Sequence, residues 1–284
     1  MSRIYFDPDC LRYHTPGHPE TPERVGSVAE RLKMSGRTLS MPDCAASEND
    51  AAMAHDPAHF RSVADGLYCD PDTPHYDGIE LFGLKSVSGA VSAGLSCAAG
   101  ETAFSLMRPP GHHAGRRRAA GFCYLNNLAI ACAVLRARLP GAKIGILDID
   151  VHHGDGTQDI MLGRPDTFLV SLHQSPLYPG TGLRSEENCL NLPLPPGTGE
   201  DAYLAALEQG LGALMDFAPG FLAVSAGFDT YKLDPIAQLR LEKTSFRRIG
   251  ARIAATGLAR FGVLEGGYSP DMPALVENFL ETFL

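Results

Sequence analysis

Residues 143–155 read KIGILDIDVHHGD, and this stretch decides the fold. Its first part is a short apolar run without polar alternation, which is typical of a strand buried on both faces, as in a parallel sheet. Its second part places aspartates and histidines directly after that strand. The stretch therefore predicts an internal strand of a parallel sheet whose carboxyl end carries a cluster of polar side chains.

Similar apolar runs recur along the chain, and helix-like segments lie between them. The predicted strands are 102–107, 143–147, 167–172, 220–225 and 261–264. The predicted helices are 125–139, 202–217 and 244–261, the last with Ser245 near its start as a cap. This alternation predicts an α/β fold, a three-layer α/β/α sandwich with a central, mainly parallel sheet. No linker, repeat or low-complexity tract interrupts it, so residues 1–284 are expected to form one domain.

Unusual polar residues follow four of the predicted strands. They are the segments 108–113, 148–155, 226–229 and 265–268. In open α/β sheets ligands bind at the carboxyl ends of the strands. The four segments are therefore expected to converge on one crevice, which indicates a functional site.

The segment DIDVH (148–152) predicts a metal site. In extended backbone alternate residues face the same way, so Asp148, Asp150 and His152 share a face, and Asp229 joins them from another strand end. Such ligands with an open position suit a catalytic Zn²⁺, and Fe²⁺ and Mn²⁺ accept the same ligand types. The alternative is a structural hydrogen-bond network, but buried charges need pairing or a metal.

A tandem pair, His112-His113, and the motif EGGY (265–268) complete the predicted site. Next to a metal, one imidazole can take a proton from water and deliver it to a leaving amine, while the other stays charged. Each needs a carboxylate on its far nitrogen, and Asp148 and Asp155 are available. A tyrosine hydroxyl after the two glycines can donate to a substrate carbonyl. In isolation, a tandem histidine pair is also typical of surface or core histidines, and EGGY is also typical of a turn followed by a core tyrosine.

Composition limits the partners. The formal net charge is −9, so the surface repels phosphate backbones and nucleic acid is not expected as a ligand. The run Arg116-Arg117-Arg118 is interpreted as a solvated loop. Seven cysteines without a CxxC pair indicate a reducing compartment. There is no signal-peptide pattern and no apolar run near the roughly 18 residues of a membrane span, so a cytoplasmic protein without membrane contact is expected.

The motifs together resemble a known family. They are HPETPERV (18–25), RPPGHHA (108–114), GFCYLNN (121–127), DIDVHHGDGT (148–157), SLHQ (171–174), YPGTG (178–182), SAGFD (225–229) and EGGY (265–268). The set resembles the arginase/deacetylase superfamily and, within it, zinc-dependent histone deacetylases and bacterial histone deacetylase-like amidohydrolases of the class II-like branch. The resemblance covers nearly the whole chain. It implies the arginase/deacetylase fold and hydrolysis of an acyl amide, chiefly an acetyl amide, on a lysine-like amine.

The resemblance also implies roles for individual residues. The implied zinc ligands are Asp150, His152 and Asp229. The implied catalytic group is His113 with Asp155 as base and then acid, His112 with Asp148 as electrostatic partner, and Tyr268 on the scissile carbonyl. The implied ligands of a structural K⁺ are Asp148, the backbone of Asp150 and His152, Ser171 and Leu172. The implied substrate-binding residues are Gly121, Phe122 and Tyr178 around a narrow tunnel, and Arg24 beneath the metal.

Two other functions are weighed against this interpretation. An arginase-like ureohydrolase with two Mn²⁺ ions would need carboxylates where this sequence has Gly154 and Gly227, so one metal is expected. A non-catalytic module that binds acylated ligands would show loss of Tyr268 or of a zinc ligand, and none is missing.

The substrate depends on one loop, 230–237. In polyamine-selective relatives an acidic residue follows the last zinc aspartate, and Ile236 is placed at that position here, with Lys232 and Asp234 nearby. An apolar residue there favours acylated lysine in a peptide or protein, and an acetylpolyamine or another small acylated amine is the alternative. No insertion separates the motifs, which favours an open mouth that admits larger substrates. The sequence does not determine the oligomeric state.

Overall fold

One eight-stranded sheet lies at the centre of the computed structural model, which describes residues 2–284. Its strands are β1 (Ser2–Tyr5), β2 (Leu39–Ser40), β3 (Thr102–Ser105), β4 (Ile144–Asp148), β5 (Thr167–Gln174), β6 (Cys189–Leu194), β7 (Phe221–Ala226) and β8 (Ala259–Leu264). The helices are α1 (Pro22–Met34), α2 (Glu48–Ala51), α3 (Pro57–Ala64), α4 (Ile79–Ala98), α5 (Asn127–Arg138), α6 (Asp155–Met161), α7 (Glu200–Phe217), α8 (Lys243–Ala255) and α9 (Met272–Phe283), with a 3-10 turn at Pro8–Leu11. The strand order is β2-β1-β3-β8-β7-β4-β5-β6, and every pair is parallel.

Helices cover both faces of the sheet because successive strand residues point to opposite sides. In β4, Leu147 packs in a core cluster with residues of α1, α7, α8 and α9. Its neighbour Ile146 packs in a second cluster with residues of α4, α5 and α6. The predicted three-layer α/β/α sandwich with a parallel sheet is therefore confirmed.

The predicted helix 244–261 is too long. Helix α8 ends at Ala255, and Gly257 follows with φ +69°, a left-handed conformation that ends helices and suits glycine. Residues 259–264 then form β8. The cap differs too, because Glu242 is the N-cap and its backbone N–H donates to Ser245 Oγ at 2.9 Å.

Helix α4 is absent from the predicted elements, as are α1, α2, α3, α6, α9, β1, β2 and β6. By length and mean hydropathy α4 could cross a membrane, contrary to the expectation that no run comes close, but about 67% of its most apolar window is buried inside the fold. It packs against β3 and α5. Its small residues permit this, since a Cβ at Gly89 would lie 2.5 Å from Ser105 Oγ of β3. Small residues all round the helix also remove the amphipathic period that sequence patterns detect.

Two glycines of α7 test this packing. Gly210 faces β5, where an added Cβ would lie 2.7 Å from Val170 Cγ1, whereas Gly212 is exposed and its Cβ would meet nothing within 4 Å. We expect Gly210→Ala to lower the free energy of unfolding by about 1–3 kcal/mol through overpacking. Gly212→Ala should raise it by about 0.5–1 kcal/mol, because alanine favours the helix. Urea unfolding measures both, and equal effects would contradict the close approach of α7 to β5.

Because all strands are parallel, their carboxyl ends lie along one edge of the sheet. The neighbouring strands β3, β8, β7 and β4, which precede the four predicted segments, end there at Ser105, Leu264, Ala226 and Asp148. The loops that follow them therefore meet at one place, as predicted for a crevice at this edge.

Candidate active site

Three buried side chains at this edge can share one ion. Asp150 and His152 follow β4, Asp229 follows β7, and one ligand atom from each lies within 4.8 Å of the others. His152 Nδ1 is 3.0 Å from Asp150 Oδ1 and 3.3 Å from Asp229 Oδ2. Ligand atoms about 2.0–2.1 Å from a tetrahedral ion are ~3.3 Å apart. The spacing therefore fits a single metal ion between the three.

The hydrogen bonds of Asp229 also indicate a metal site. Its Oδ1 accepts from the Val151 backbone N–H at 2.8 Å, but its buried Oδ2 has no hydrogen-bond partner within residues 2–284. A buried carboxylate oxygen without a partner is costly, and a bound cation removes that cost. Gly266 closes the group from one side, because a Cβ there would lie 2.2 Å from Asp229 Oδ2 and 2.5 Å from Asp150 Oδ2. The residues present thus fit a metal site.

The two histidines of RPPGHHA lie together beside this group, with ring centroids 4.0 Å apart. His112 Nδ1–H donates to Asp148 Oδ2 at 3.0 Å, and His113 Nδ1–H donates to Asp155 Oδ1 at 2.7 Å. Each carboxylate fixes the tautomer of its ring and leaves Nε2 for other partners. His112 Nε2 lies 3.7 Å from Asp150 Oδ1.

The electrostatic surroundings shift the pKa values of the two imidazoles in opposite directions. Burial disfavours the charged form of His112, but Asp150 and Asp148 outweigh it and raise the pKa of this imidazole well above its ordinary value. Burial and the neighbouring His112 lower the pKa of His113 to about 4, against the opposing effect of Asp155. At neutral pH the pair therefore holds one charged and one neutral imidazole. One ring can stabilise negative charge while the other accepts a proton.

Tyr268 and Arg24 stand close to each other. Burial raises the pKa of Tyr268 well above its ordinary value, so its hydroxyl remains a hydrogen-bond donor at neutral pH. The Arg24 guanidinium carbon is 4.6 Å from the centroid of the Tyr268 ring. Arg24 also donates to the backbone oxygens of Gly267 at 2.6 Å and Glu265 at 2.7 Å. It thus supports the EGGY loop from beneath.

A cavity of about 300 Å³ opens onto these groups. Its lining comprises Pro19, Asp72, His113, Gly121, Phe122, His152, Leu177, Tyr178, Ile236 and Tyr268. It therefore includes four of the five residues predicted to bind substrate; the fifth, Arg24, lies below Tyr268 instead. Asp72 and Leu177 of this lining lie outside every sequence motif, and Pro19 lies in HPETPERV (18–25) without a predicted role.

A loop that contains none of the sequence motifs, residues 70–73, orients one wall of the cavity. Asp70 Oδ2 accepts from the Gly121 N–H and Thr73 Oγ1 accepts from the Phe122 N–H, both at 2.9 Å. Both accepting groups hold backbone with positive φ, +55° at Gly121 and +69° at Phe122. Only glycine adopts that conformation without strain, so Phe122 depends on such support.

The residues predicted to hold potassium lie at the end of β4, directly after it, and in the neighbouring strand β5. Asp148 of β4 pairs in register with Ser171 of β5, and Leu172 follows in the same strand. Asp148 Oδ1 accepts from the Asp150 N–H at 3.0 Å, and Ser171 Oγ lies 2.9 Å from His173 Nδ1. The set is thus adjacent in the sheet, and its role as a K⁺ site stays a prediction.

The three arginines after RPPGHHA lie in an exposed loop, but their side chains are engaged. Arg116 donates to backbone oxygens near the end of α6, Arg117 pairs with Asp56, and Arg118 pairs with the second oxygen of Asp155. The interpretation as a purely solvated loop is therefore incomplete, because one arginine contacts the partner of His113.

A family model described as the histone deacetylase domain matches residues 18–283. This chain belongs to the histone deacetylase family. It is thus a member of a family of hydrolytic enzymes, with deacetylase or amidohydrolase function, as the motifs predicted.

Relatives of this histone deacetylase family member carry two kinds of name. A probable deacetylase of Archaeoglobus fulgidus is 35% identical over 95% of this chain and 82% of its own length. Acetylpolyamine amidohydrolase 1 of Pseudomonas aeruginosa is 44% identical, over 60% of this chain and 52% of its own length. Among solved structures, the HDA15 HD domain superposes with a TM-score of 0.91 at 29% identity, covering 99% of this chain and 89% of that one.

Proposed function

We propose that this chain is a zinc-dependent deacylase that removes an acetyl group from lysine in a peptide or protein. The observation that carries the proposal is the buried group Asp150, His152 and Asp229. One member of this group, His152, lines the same cavity as His113 and Tyr268. A metal site, a buried base and a phenol donor at one cavity suit amide hydrolysis.

The proposed metal is Zn²⁺, held by Asp150, His152 and Asp229, with Fe²⁺ as the alternative ion for these ligand types. Bound there, zinc would lower the pKa of water to about 7 and polarise the acyl carbonyl. A structural K⁺ is proposed close by, on Asp148, the backbone of Asp150 and His152, Ser171 and Leu172. The adjacency of β4 and β5 supports that position.

The residues of the chain would carry the remaining steps. The aliphatic stem of the substrate lies between Phe122 and Tyr178, along Gly121. The Tyr268 hydroxyl donates to the acyl oxygen as negative charge develops there. His113 Nε2 takes a proton from the attacking water while Asp155 holds the ring. His113 then returns the proton to the departing amine.

His112 would act as the fixed charge in this reaction. Its position between Asp148 and Asp150 supports the charged form of its ring. A charge held in place before the reaction stabilises the transition state without reorganisation. The products are acetate and a free amine.

Acetylpolyamine hydrolysis is the second candidate. The relative named acetylpolyamine amidohydrolase 1 supports it, as do the net charge of −9 and the carboxylate of Asp72 in the cavity lining. The apolar Ile236 in the same lining supports the lysine substrate, because it offers nothing to a second ammonium group.

We further propose that residues 1–284 act as one catalytic domain and that the protein works in the cytoplasm. All seven cysteines are free, and five of them are buried, which supports a reducing compartment.

A substrate panel tests the function. With zinc-loaded enzyme, we expect an acetyl-lysine peptide to have a kcat/KM at least about tenfold above those of N-acetylputrescine and N-acetylspermidine, and a hydroxamate to inhibit its turnover. Ile236→Glu should shift that ratio toward the polyamines by about tenfold, which corresponds to 1.4 kcal/mol. Ile236→Gln is the uncharged control. Higher kcat/KM for the polyamines with the wild-type enzyme would contradict the lysine proposal.

A further inference from the structure

Glu265 is a buried carboxylate directly after β8, and none of the steps above uses it. Its side chain is 1% exposed, and burial raises its pKa to about 7. No lysine or arginine of the described chain forms a salt bridge with it. The charge of the His112 ring offsets part of the cost of burying this acid, and its hydrogen bonds must account for the rest.

The carboxylate of Glu265 accepts three hydrogen bonds. Glu265 Oε2 accepts from the backbone N–H groups of Gly111, at 2.7 Å, and His112, at 3.1 Å. Its Oε1 accepts from the Ser225 hydroxyl of β7 at 3.1 Å. One carboxylate thus joins the end of β8, the strand beside it and the loop that carries both imidazoles.

The loop cannot satisfy these N–H groups in another way. No other acceptor contacts them within residues 2–284, and an unpaired buried N–H is strongly disfavoured. The loop also runs close to the start of α5, because a Cβ added at Gly111 would lie 2.6 Å from the Asn127 backbone nitrogen. The position of His112 therefore depends on an acceptor at the place of Glu265 Oε2.

We propose that Glu265 is a positioning residue, which fixes the backbone of His112 and through it sets both imidazoles against the metal-binding group. This proposal rests on the proposed function, since it assigns the side chain a part in that same reaction. The side chain touches no substrate. It acts by hydrogen-bond geometry rather than by its charge.

Two variants separate geometry from charge. In Glu265→Gln the side-chain oxygen can accept from both N–H groups and the amide can donate to Ser225 Oγ, so the hydrogen bonds remain while the charge is lost. In Glu265→Asp the charge remains, but the side chain is shorter by one carbon–carbon bond, about 1.5 Å, and its oxygens withdraw from the loop.

Steady-state kinetics of the zinc-loaded enzymes on the acetyl-lysine peptide give the first readout. We expect Glu265→Asp to lower kcat by about 100-fold with KM changed less than about threefold, because a shift near 1 Å at the reacting groups has that cost. Glu265→Gln should stay within about fivefold of the wild-type kcat, since its hydrogen bonds persist. Metal content and thermal unfolding, measured in parallel, show that each variant is folded and loaded.

Amide hydrogen exchange of residues 108–114 gives a second readout that needs no turnover. These amides should exchange at wild-type rates in Glu265→Gln and faster in Glu265→Asp. The proposal is overturned if Glu265→Asp retains both kcat and exchange protection, or if Glu265→Gln loses as much as Glu265→Asp. Absence of wild-type turnover on every substrate would defeat the proposed function, and the exchange data would still decide the role of Glu265.

Discussion

Asp229→Asn should leave the protein folded but nearly free of metal, and should lower kcat/KM by more than about 100-fold. Changes to residues that merely support a metal ligand cost about 10–100-fold, so the loss of a direct ligand costs more. The substitution is nearly isosteric. Its side-chain oxygen can keep the hydrogen bond that Asp229 Oδ1 accepts from Val151, while the unpartnered Oδ2 is replaced by an amide nitrogen that cannot bind a metal.

Metal analysis after dialysis and kinetics on the acetyl-lysine peptide measure this effect. Asp216→Asn, on the exposed surface of α7, is the matched control and should bind metal like the wild type. Full zinc content in Asp229→Asn would place the metal elsewhere and remove the main support for the proposed mechanism.

Tyr268→Phe should lower kcat by about 10²–10³-fold with metal content and stability unchanged, which is the usual cost of removing one donor to a developing oxyanion. Burial keeps this phenol protonated, so the wild-type hydroxyl is a donor throughout the neutral range. The hydroxyl forms no hydrogen bond to another residue in the described chain, and the ring contacts Phe122 and Arg24 remain possible for phenylalanine.

Tyr231→Phe provides the control for this variant. Tyr231 donates its hydroxyl to Asp271 at 2.9 Å, close to the EGGY loop but outside the cavity lining. Its loss should leave kcat within about twofold of the wild type, because this partly buried hydrogen bond contacts neither the cavity nor the metal-binding group. If Tyr268→Phe retained wild-type kcat, the donor to the acyl oxygen would have to be another group.

The sequence predicted those parts of the fold that have a clear period or clear boundaries. The strand that ends at Asp148 is continuously apolar and begins after a proline and glycine, so its position was within a residue of the structure. Helix α4 has small residues on every side and therefore no amphipathic pattern. The predicted helix 244–261 runs through Gly257, although a glycine at the end of a helical pattern is a known stop signal, and here it adopts the left-handed conformation that ends α8.

In the candidate site, too, local sequence patterns predicted some contacts and gave no signal for others. Alternation along extended backbone predicts Asp148 on one face with Asp150 and His152, but the strand ends at Asp148 and its carboxylate accepts from His112, the partner that the family resemblance implies. The approach of Asp229 follows from the pairing of β4 with β7, which sequence order does not give. The support that Asp70 gives to Gly121 depends on a tertiary contact across 51 positions, and no local motif signals it.

The ligand group also joins distant parts of the chain, since Asp229 accepts a hydrogen bond from the backbone N–H of Val151, 78 positions earlier. An ion bound between the segments after β4 and β7 would act as a removable cross-link that closes a long loop of the unfolded chain. At a free ion concentration 100 times the dissociation constant, such binding adds about 2.7 kcal/mol to the stability of the native state. Metal supply would then govern how long the protein survives proteolysis as well as how fast it turns over substrate.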